Sequence, residues 1–382
     1  MIITKKSKVV HIFSSLANIN MNIIAKTEEE LKKNTKFIND IFTGKMRKTL
    51  LGNVFTESSL IPFSSVRNYI GDGWEVVWGV ETINGYQEAT KYTDEGYVTH
   101  NTMFVAKGKK DSQKGFDKTP YIVAVAGTNP VSLEDWLVQD LAVEVLFPWN
   151  ESNDGHGKIS AGSYVGLEQL ISMKDSKTGD SLKEFFRKVD EEATEDYEII
   201  TCGHSLGGAL SPLIALRLIE QSHSKAIVSS YPSAGPTSGN EAFEKYATEQ
   251  FDGNYHSVIN TNDIVPNAWN ADTYSTIPEL YNNEEFGNVE MSKEEEILYG
   301  VKGIIIKNRN YQRIGKSQEY TFTGQNDEDI EKYLPAKLLK NLSPFMLKAL
   351  IQHVVVYNSQ AYNYGLPLRG SLALITNGKI KK

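Results

Sequence analysis

Tyr197 to Glu220, YEIITCGHSLGGALSPLIALRLIE, is the stretch whose reading decides the fold. Its first six residues, Tyr197-Glu198-Ile199-Ile200-Thr201-Cys202, are apolar and partly β-branched, which predicts a short buried strand. Gly203-His204-Ser205-Leu206-Gly207 comes next without a break. Beyond it Leu210, Leu213, Ile214 and Leu218 recur at helical spacing, and Ala209, Leu216 and Ile219 make the segment apolar nearly all round. That is the pattern of a helix buried in a large core, with Arg217 and Glu220 near its exit and Pro212 set to kink it. The stretch reads strand, sharp turn, helix, with a serine at the bend. So tight a turn forces Ser205 into a strained backbone and crowds the residues two before and two after it. Gly203 and Gly207 answer that crowding, because a Cβ at either would clash. The Ser205 hydroxyl then stands above the strand end, facing the N-terminus and free N–H groups of the next helix. In this setting the G-x-S-x-G pattern predicts a nucleophile elbow, the alternative being a structural Gly/Ser turn.

A chain of 382 residues exceeds one domain's usual share, though large α/β enzymes run to this length as one unit. With 40% apolar and 23% charged residues it reads as a soluble globular protein. The net charge of −8, with no basic stripe, argues against nucleic-acid binding. Cys202 is the only cysteine, so no intrachain disulfide can form, and it reads as a small buried residue under the elbow. No run of about 18 apolar residues offers a membrane-spanning helix. Near the N-terminus Lys5, Lys6 and Lys8 precede Val9 to Ala17, a superficial likeness to a secretory signal. His11 interrupts the apolar part, and Asn18, Asn20 and Asn22 make a poor cleavage site. The expectation is therefore no cleaved signal, and a cytoplasmic protein or one exported by a signal-independent route.

Taken in order, Thr27-Glu28-Glu29-Glu30 predicts a capping box opening a helix whose apolar face is Leu31, Ile38, Ile41 and Phe42. Gly44 and Gly52 punctuate the chain beyond that helix. Trp74 to Ile83 and Gly96 to Lys107 read as strands, and the lysine-rich loop Gly108 to Lys118 as a solvated hairpin tip rather than an anion site. Tyr121 to Ala126 is almost wholly apolar, as a central strand covered on both faces should be. It runs into Gly127-Thr128-Asn129-Pro130 and then Val131 to Leu141, a short amphipathic helix with Leu133, Trp136, Leu137 and Leu141 on one face. That helix is either an ordinary core-facing one or a mobile lid over a site. Ala226 to Tyr231 and Tyr255 to Asn260 read as further strands, the second delivering Thr261-Asn262-Asp263-Ile264-Val265-Pro266. Glu294 to Lys307 and Asp327 to Tyr357 read as helices. Alternating strands and helices predict an α/β sandwich with a mixed, largely parallel sheet. The domain reading is a helical extension over 1–70 packed on an α/β domain over 71–382, with an insertion at about 270–345.

A serine hydroxyl needs a base within hydrogen-bond reach, itself oriented by a carboxylate. With this kind of elbow the chain order is Ser, then Asp or Glu, then His. Of seven histidines, His11, His100, His156 and His204 precede Ser205, and His204, as its neighbour, points elsewhere. His223 follows the elbow helix too soon for an intervening acid, and the acids before His256, such as Glu241 and Glu244, look like helix surface. His353 remains. Asp263, in a turn directly after a strand, is the acid best placed; its other reading, an Asx-turn residue before Pro266, is compatible with the first.

The ordered set Val125-Ala126-Gly127-Thr128, Trp136 with Asp140, Gly203 to Ala209, Gly235-Pro236 with Gly239-Asn240, Asn262 to Pro266, and His353 with Tyr357 resembles the class 3 lipases, the fungal-lipase-like α/β-hydrolases. The resemblance covers roughly Trp74 to Tyr364. It implies an α/β-hydrolase fold, a central mostly parallel sheet flanked by helices, with the N-terminal extension and a long helical insertion before His353. It implies Ser205 as nucleophile, Asp263 as orienting acid and His353 as base, Thr128 and the Leu206 N–H as oxyanion donors, and the segment after Thr128, with Leu133, Trp136 and Leu137, as lid. The chain departs from the family in the longer spacing Trp136-x-x-x-Asp140, in Ala126 where an arginine is common, and in lacking paired cysteines. The function so implied is hydrolysis of lipid esters at an interface, with peripheral contact to lipid or membrane and no metal or cofactor. A triacylglycerol lipase is the first expectation, a phospholipase A the second. A non-catalytic hydrolase-fold protein binding lipids or proteins is the alternative of another class, which the intact Ser205, Asp263 and His353 set disfavours.

Overall fold

The structure is a computed structural model and describes residues 3–18, 25–31, 38, 66, 69–87, 95–126, 142–150, 154–315, 319–326 and 342–364. In chain order the strands are β1 (Glu75–Gln87), β2 (Gly96–Lys107), β3 (Thr119–Val125), β4 (Leu146–Pro148), β5 (Lys158–Ser160), β6 (Tyr197–His204), β7 (Ala226–Ser233), β8 (Gly239–Asn240), β9 (Val258–Asn260), β10 (Tyr311–Gln312) and β11 (Tyr320–Phe322). Among the described residues the main sheet runs β1-β2-β3-β6-β7-β9-β11, and β10-β8-β5-β4 form a small second sheet. β2 is antiparallel to both neighbours, while β3, β6, β7, β9 and β11 pair in parallel. The α-helices longer than one turn are α1 (Lys5–Ala17), α2 (Ala161–Ser172), α3 (Leu182–Glu192), α4 (Leu206–Ile219), α5 (Glu241–Phe251), α6 (Lys293–Ile306) and α7 (Pro344–Leu350). This is the α/β-hydrolase fold.

The apolar runs of β3 and β6 serve two cores at once, because side chains alternate across a strand. Tyr121, Val123, Val125, Tyr197 and Ile199 share a core with Leu210, Leu213 and Ile214 of α4. Ile122, Ala124, Ile200 and Cys202 share the other with Val9, Ile12, Phe13 and Leu16 of α1. The basic-then-apolar N-terminal stretch is thus a core helix: Val9, Val10, Ile12, Phe13 and Leu16 are all buried, and the Phe13 ring lies 4.6 Å from that of Trp74. Burying each such side chain stabilises the fold by about 1.5–3 kcal/mol, so α1 contributes substantially to closing this face of the sheet.

Several sequence expectations need adjusting. Thr27 Oγ1 does accept from the Glu30 N–H at 3.3 Å, but the Glu30 carboxylate takes the Lys26 N–H at 2.9 Å, so only half of the capping box forms. Leu31 and Ile38 are buried, while Ile41 and Phe42 lie outside the described residues. The strand expected from Tyr255 begins at Val258, with Tyr255 making only an isolated bridge to Ser230. Of the helix expected from Asp327, residues 327–341 lie outside the described ones. From Pro344 the chain is α-helical to Leu350, then winds as π-helix over Ile351–Val355 and Tyr357–Ala361. The insertion carries α6, as expected, and also β11, an edge strand that pairs with β9. Three residues are too few to show a period, which is why β11 was not legible. Among the described residues no helix is long and apolar enough to cross a membrane.

Candidate active site

β6 ends at His204, and Ser205 follows at φ 62° and ψ −128° before α4 begins at Leu206. A non-glycine residue at positive φ is strained and persists only where its surroundings hold it. Here the Ser205 N–H donates to Ser233 O at 3.1 Å, and Ser205 O accepts the Ala209 N–H at 3.1 Å. The flanking glycines are required sterically. A Cβ on Gly203 would sit 2.1 Å from Gly207 O, and one on Gly207 would sit 2.5 Å from Val125 O. The strand–turn–helix thus has the geometry of a nucleophile elbow. The N–H of Leu206 is among those an α-helix leaves without an intrahelical partner at its start.

Asp263 follows β9 and caps the helical turn Ile264–Asn267, accepting the Val265 N–H on Oδ1 at 2.9 Å. Its other oxygen meets His353 Nδ1 at 2.8 Å and accepts the Tyr357 hydroxyl at 3.0 Å. The Asx-turn reading therefore holds, and the same carboxylate also meets the His353 imidazole. Asp263 is fully buried, and three donors offset the desolvation that an unpaired buried carboxylate would suffer. An ionised carboxylate only accepts, so in a neutral imidazole Nδ1 of His353 would carry the proton and Nε2 the lone pair. Tyr357 in turn accepts the Asn260 N–H at 3.0 Å, and Asn260 Nδ2 donates to Gln352 Oε1 at 2.8 Å. These bonds fix the π-helical segment against β9. The role of the Tyr357 hydroxyl was not read from sequence; its position four residues after His353, on the same helical face, was the available signal.

His204, expected to point elsewhere, packs instead against the Asp263–His353 pair. Its buried ring lies 4.7 Å from that of His353 and 5.4 Å from that of Tyr357. Burial, and then the neighbouring His353, keep His204 neutral well below the ordinary histidine range. Since Ser205 adjoins His204, the strained serine and the Asp263–His353 pair occupy one neighbourhood. His256, another downstream histidine, packs at a tilt against Tyr231, the ring centroids 4.5 Å apart. Cys202 is fully buried on the α1 side, and burial pushes its thiol far above the ordinary range, so it is not a nucleophile. Thr128, Leu133, Trp136 and Leu137 lie outside the described residues. β3 itself ends beside the elbow, since Val125 O is the atom against Gly207. Among the described residues, no group of three His, Cys, Asp or Glu is disposed to hold a metal.

Residues 122–273 match the model of the lipase (class 3) family. The secreted mono- and diacylglycerol lipase A of Penicillium cyclopium is 41% identical over 71 residues, 19% of this chain and 22% of that protein. The protein of the same name from Penicillium camembertii matches with the same figures. The chain thus matches about a fifth of the length of these curated relatives. The crystal structure of M37 lipase superposes with a TM-score of 0.67 at 25% identity, over 94% of this chain and 93% of that one. From β3 through the elbow to just beyond Asp263 the chain is therefore similar to the class 3 lipases, on an α/β-hydrolase fold.

Proposed function

We propose that this protein is a serine carboxylic-ester hydrolase acting on lipid esters, most directly acylglycerols such as triacylglycerol. The observation that carries the reading is the buried Asp263–His353 hydrogen bond of 2.8 Å beside a serine held at φ 62°. In this reading His353 Nε2 takes the Ser205 proton as Oγ attacks the ester carbonyl. Asp263 holds the tautomer and stabilises the imidazolium, which then protonates the leaving alkoxide. Water, deprotonated by His353, hydrolyses the acyl-enzyme and frees Ser205. The Leu206 N–H and Thr128 stabilise the oxyanion in both halves.

Two observations favour a lipid over a small soluble ester. Two relatives, 41% identical over 71 residues, carry the name of secreted mono- and diacylglycerol lipases. The outer side of α6 also exposes Ile297, Leu298, Val301 and Ile304, while its Lys302 turns inward to Glu144 at 2.6 Å. A helix with isoleucine outward and lysine inward suits contact with an apolar surface.

The test compares Ser205→Ala, His353→Ala and the double variant on emulsified acylglycerol, phospholipid vesicles and a soluble short ester. Residues acting as one unit lose similar activity singly and together, on the order of 10⁴ to 10⁶ in kcat. Near wild-type activity in His353→Ala would overturn the assignment. Preference for vesicles over the emulsion would make the enzyme a phospholipase A instead.

A further inference from the structure

We infer that His11, on α1, is a positioning residue that sets the helix bearing His353 against the strand bearing the Ser205 elbow. The inference rests on the reading of Ser205 and His353 given above. It concerns a helix outside the segment that matches the lipase family, 347 residues from its partner in the sequence.

The His11 ring lies in the α1-side core, 4% exposed, stacked on Tyr362 at 3.9 Å and 12°. Its Nε2 is 3.2 Å from Asn358 Oδ1, and its Nδ1 is 3.3 Å from Ser233 Oγ. Asn358 Nδ2 is committed to Val354 O at 3.2 Å, which leaves its oxygen for His11. Nε2 of His11 is therefore the donor, and Nδ1 accepts from the Ser233 hydroxyl. Burial suits this neutral form, pushing the imidazole down to about 3 against the weaker opposing effect of the Asn358 bond.

Both partners lead straight to the reacting groups. Ser233 O is the acceptor for the Ser205 N–H at 3.1 Å. Asn358 follows Tyr357, whose hydroxyl bonds Asp263, and stands five residues after His353. π-helical bonds run from i to i+5, so His353 and Asn358 are one turn apart on the same segment. Such segments are rare and occur mostly as single-turn bulges, so external ties must set their rotation. Asn260 and Asp263 tie this one to β9 and its following turn; His11 ties it to β7 through Ser233, which Tyr362 also reaches. One imidazole thus bridges the strand that holds the nucleophile's backbone and the helix that holds the base. Removing it lets the two slide relative to each other, and a displacement near 1 Å can cost about 10²-fold in rate.

The experiment measures kcat, KM and thermal midpoint for His11→Leu and His11→Gln in the full chain, on a soluble short ester. Tyr364→Phe serves as control; it deletes another bond between α1 and the C-terminal segment, Tyr364 to Lys8 O at 2.6 Å, while keeping the ring that lies 6.2 Å from that of His11. His11→Leu should lower kcat about 10- to 100-fold with KM within about twofold. His11→Gln, which retains an N–H donor, should recover most of that loss, and Tyr364→Phe should leave kcat within about twofold at any cost in midpoint. Asn358→Leu breaks the same bond from the other end and should reproduce the kcat loss, which keeps the test open if His11→Leu does not fold. Equal kcat in His11→Leu, or Asn358→Leu in its place, and Tyr364→Phe would overturn the inference, as would no difference between leucine and glutamine. Ser205→Ala run alongside separates the two levels: if it stays active the reading of the site fails, whatever His11 does.

Discussion

Asp263→Asn is the substitution whose outcome the geometry fixes most tightly. The native carboxylate accepts on both oxygens, one from Val265 N–H at 2.9 Å and the other from His353 Nδ1 and Tyr357. An amide has one oxygen and one NH₂, so two orientations compete. If the oxygen faces His353, the NH₂ is driven against the Val265 N–H, and the helix-turn cap is lost together with two buried donors' partners. An orphaned buried donor costs about 1–3 kcal/mol, and a lost cap about 0.5–2 kcal/mol. If the NH₂ faces His353, the cap survives, and the imidazole can change tautomer to accept on Nδ1; only the Tyr357 hydroxyl then loses its partner. The second orientation leaves fewer groups unsatisfied and should prevail. It puts the proton on Nε2, the atom that must accept from Ser205, and kcat on a soluble short ester should fall about 10⁴-fold, the cost of the wrong tautomer in a serine triad. KM should change little, and one orphaned hydroxyl should lower the thermal midpoint by only a few degrees. A kcat within about tenfold of wild type, in a variant that melts normally, would refute the argument that this carboxylate orients a catalytic base.

Gly207→Ala should lower kcat/KM at least about 10²-fold, since its Cβ would lie 2.5 Å from Val125 O and 2.8 Å from Ala126 C, backbone atoms that cannot yield without opening the elbow; unchanged kinetics would mean the turn is not sterically closed. Thr128→Val keeps shape and backbone donor but deletes a hydroxyl, and should cost about 10² to 10³ in kcat. A rise confined to KM would make Thr128 a substrate contact instead. Trp136→Ser should flatten the rise in rate at the solubility limit of an aggregated ester while sparing a short soluble one. An intact interfacial response, or an unfolded protein, would make that segment a fixed core helix.

How much of this was legible in the sequence depends on the range of the interactions. The elbow was, because Ser205, Gly203 and Gly207 are set by a local clash that any chain making this turn must avoid. Asp263 and His353 were reached by chain order and elimination, and the capping role of Asp263 by turn chemistry. What could not be read is what depends on distant pieces meeting. His11 reads as a flaw in an apolar run until Asn358 and Ser233 are brought against it. The π-helical winding after α7 leaves no composition signal, and β11 is held in place by β9 more than by its own three residues. His204 was set aside as a neighbour of Ser205, yet alternation along β6 turns it into the face where His11 and His353 lie.

The central claim, that Ser205 is an activated nucleophile, is tested most directly by a serine-reactive alkyl phosphonate followed by peptide mass mapping. The account predicts one adduct per chain, on Ser205, formed at least about 10²-fold more slowly in the folded His353→Ala variant, since the hydroxyl then lacks its base. Modification at another residue, or none in the folded protein, would contradict it and leave a hydrolase fold that binds without catalysing.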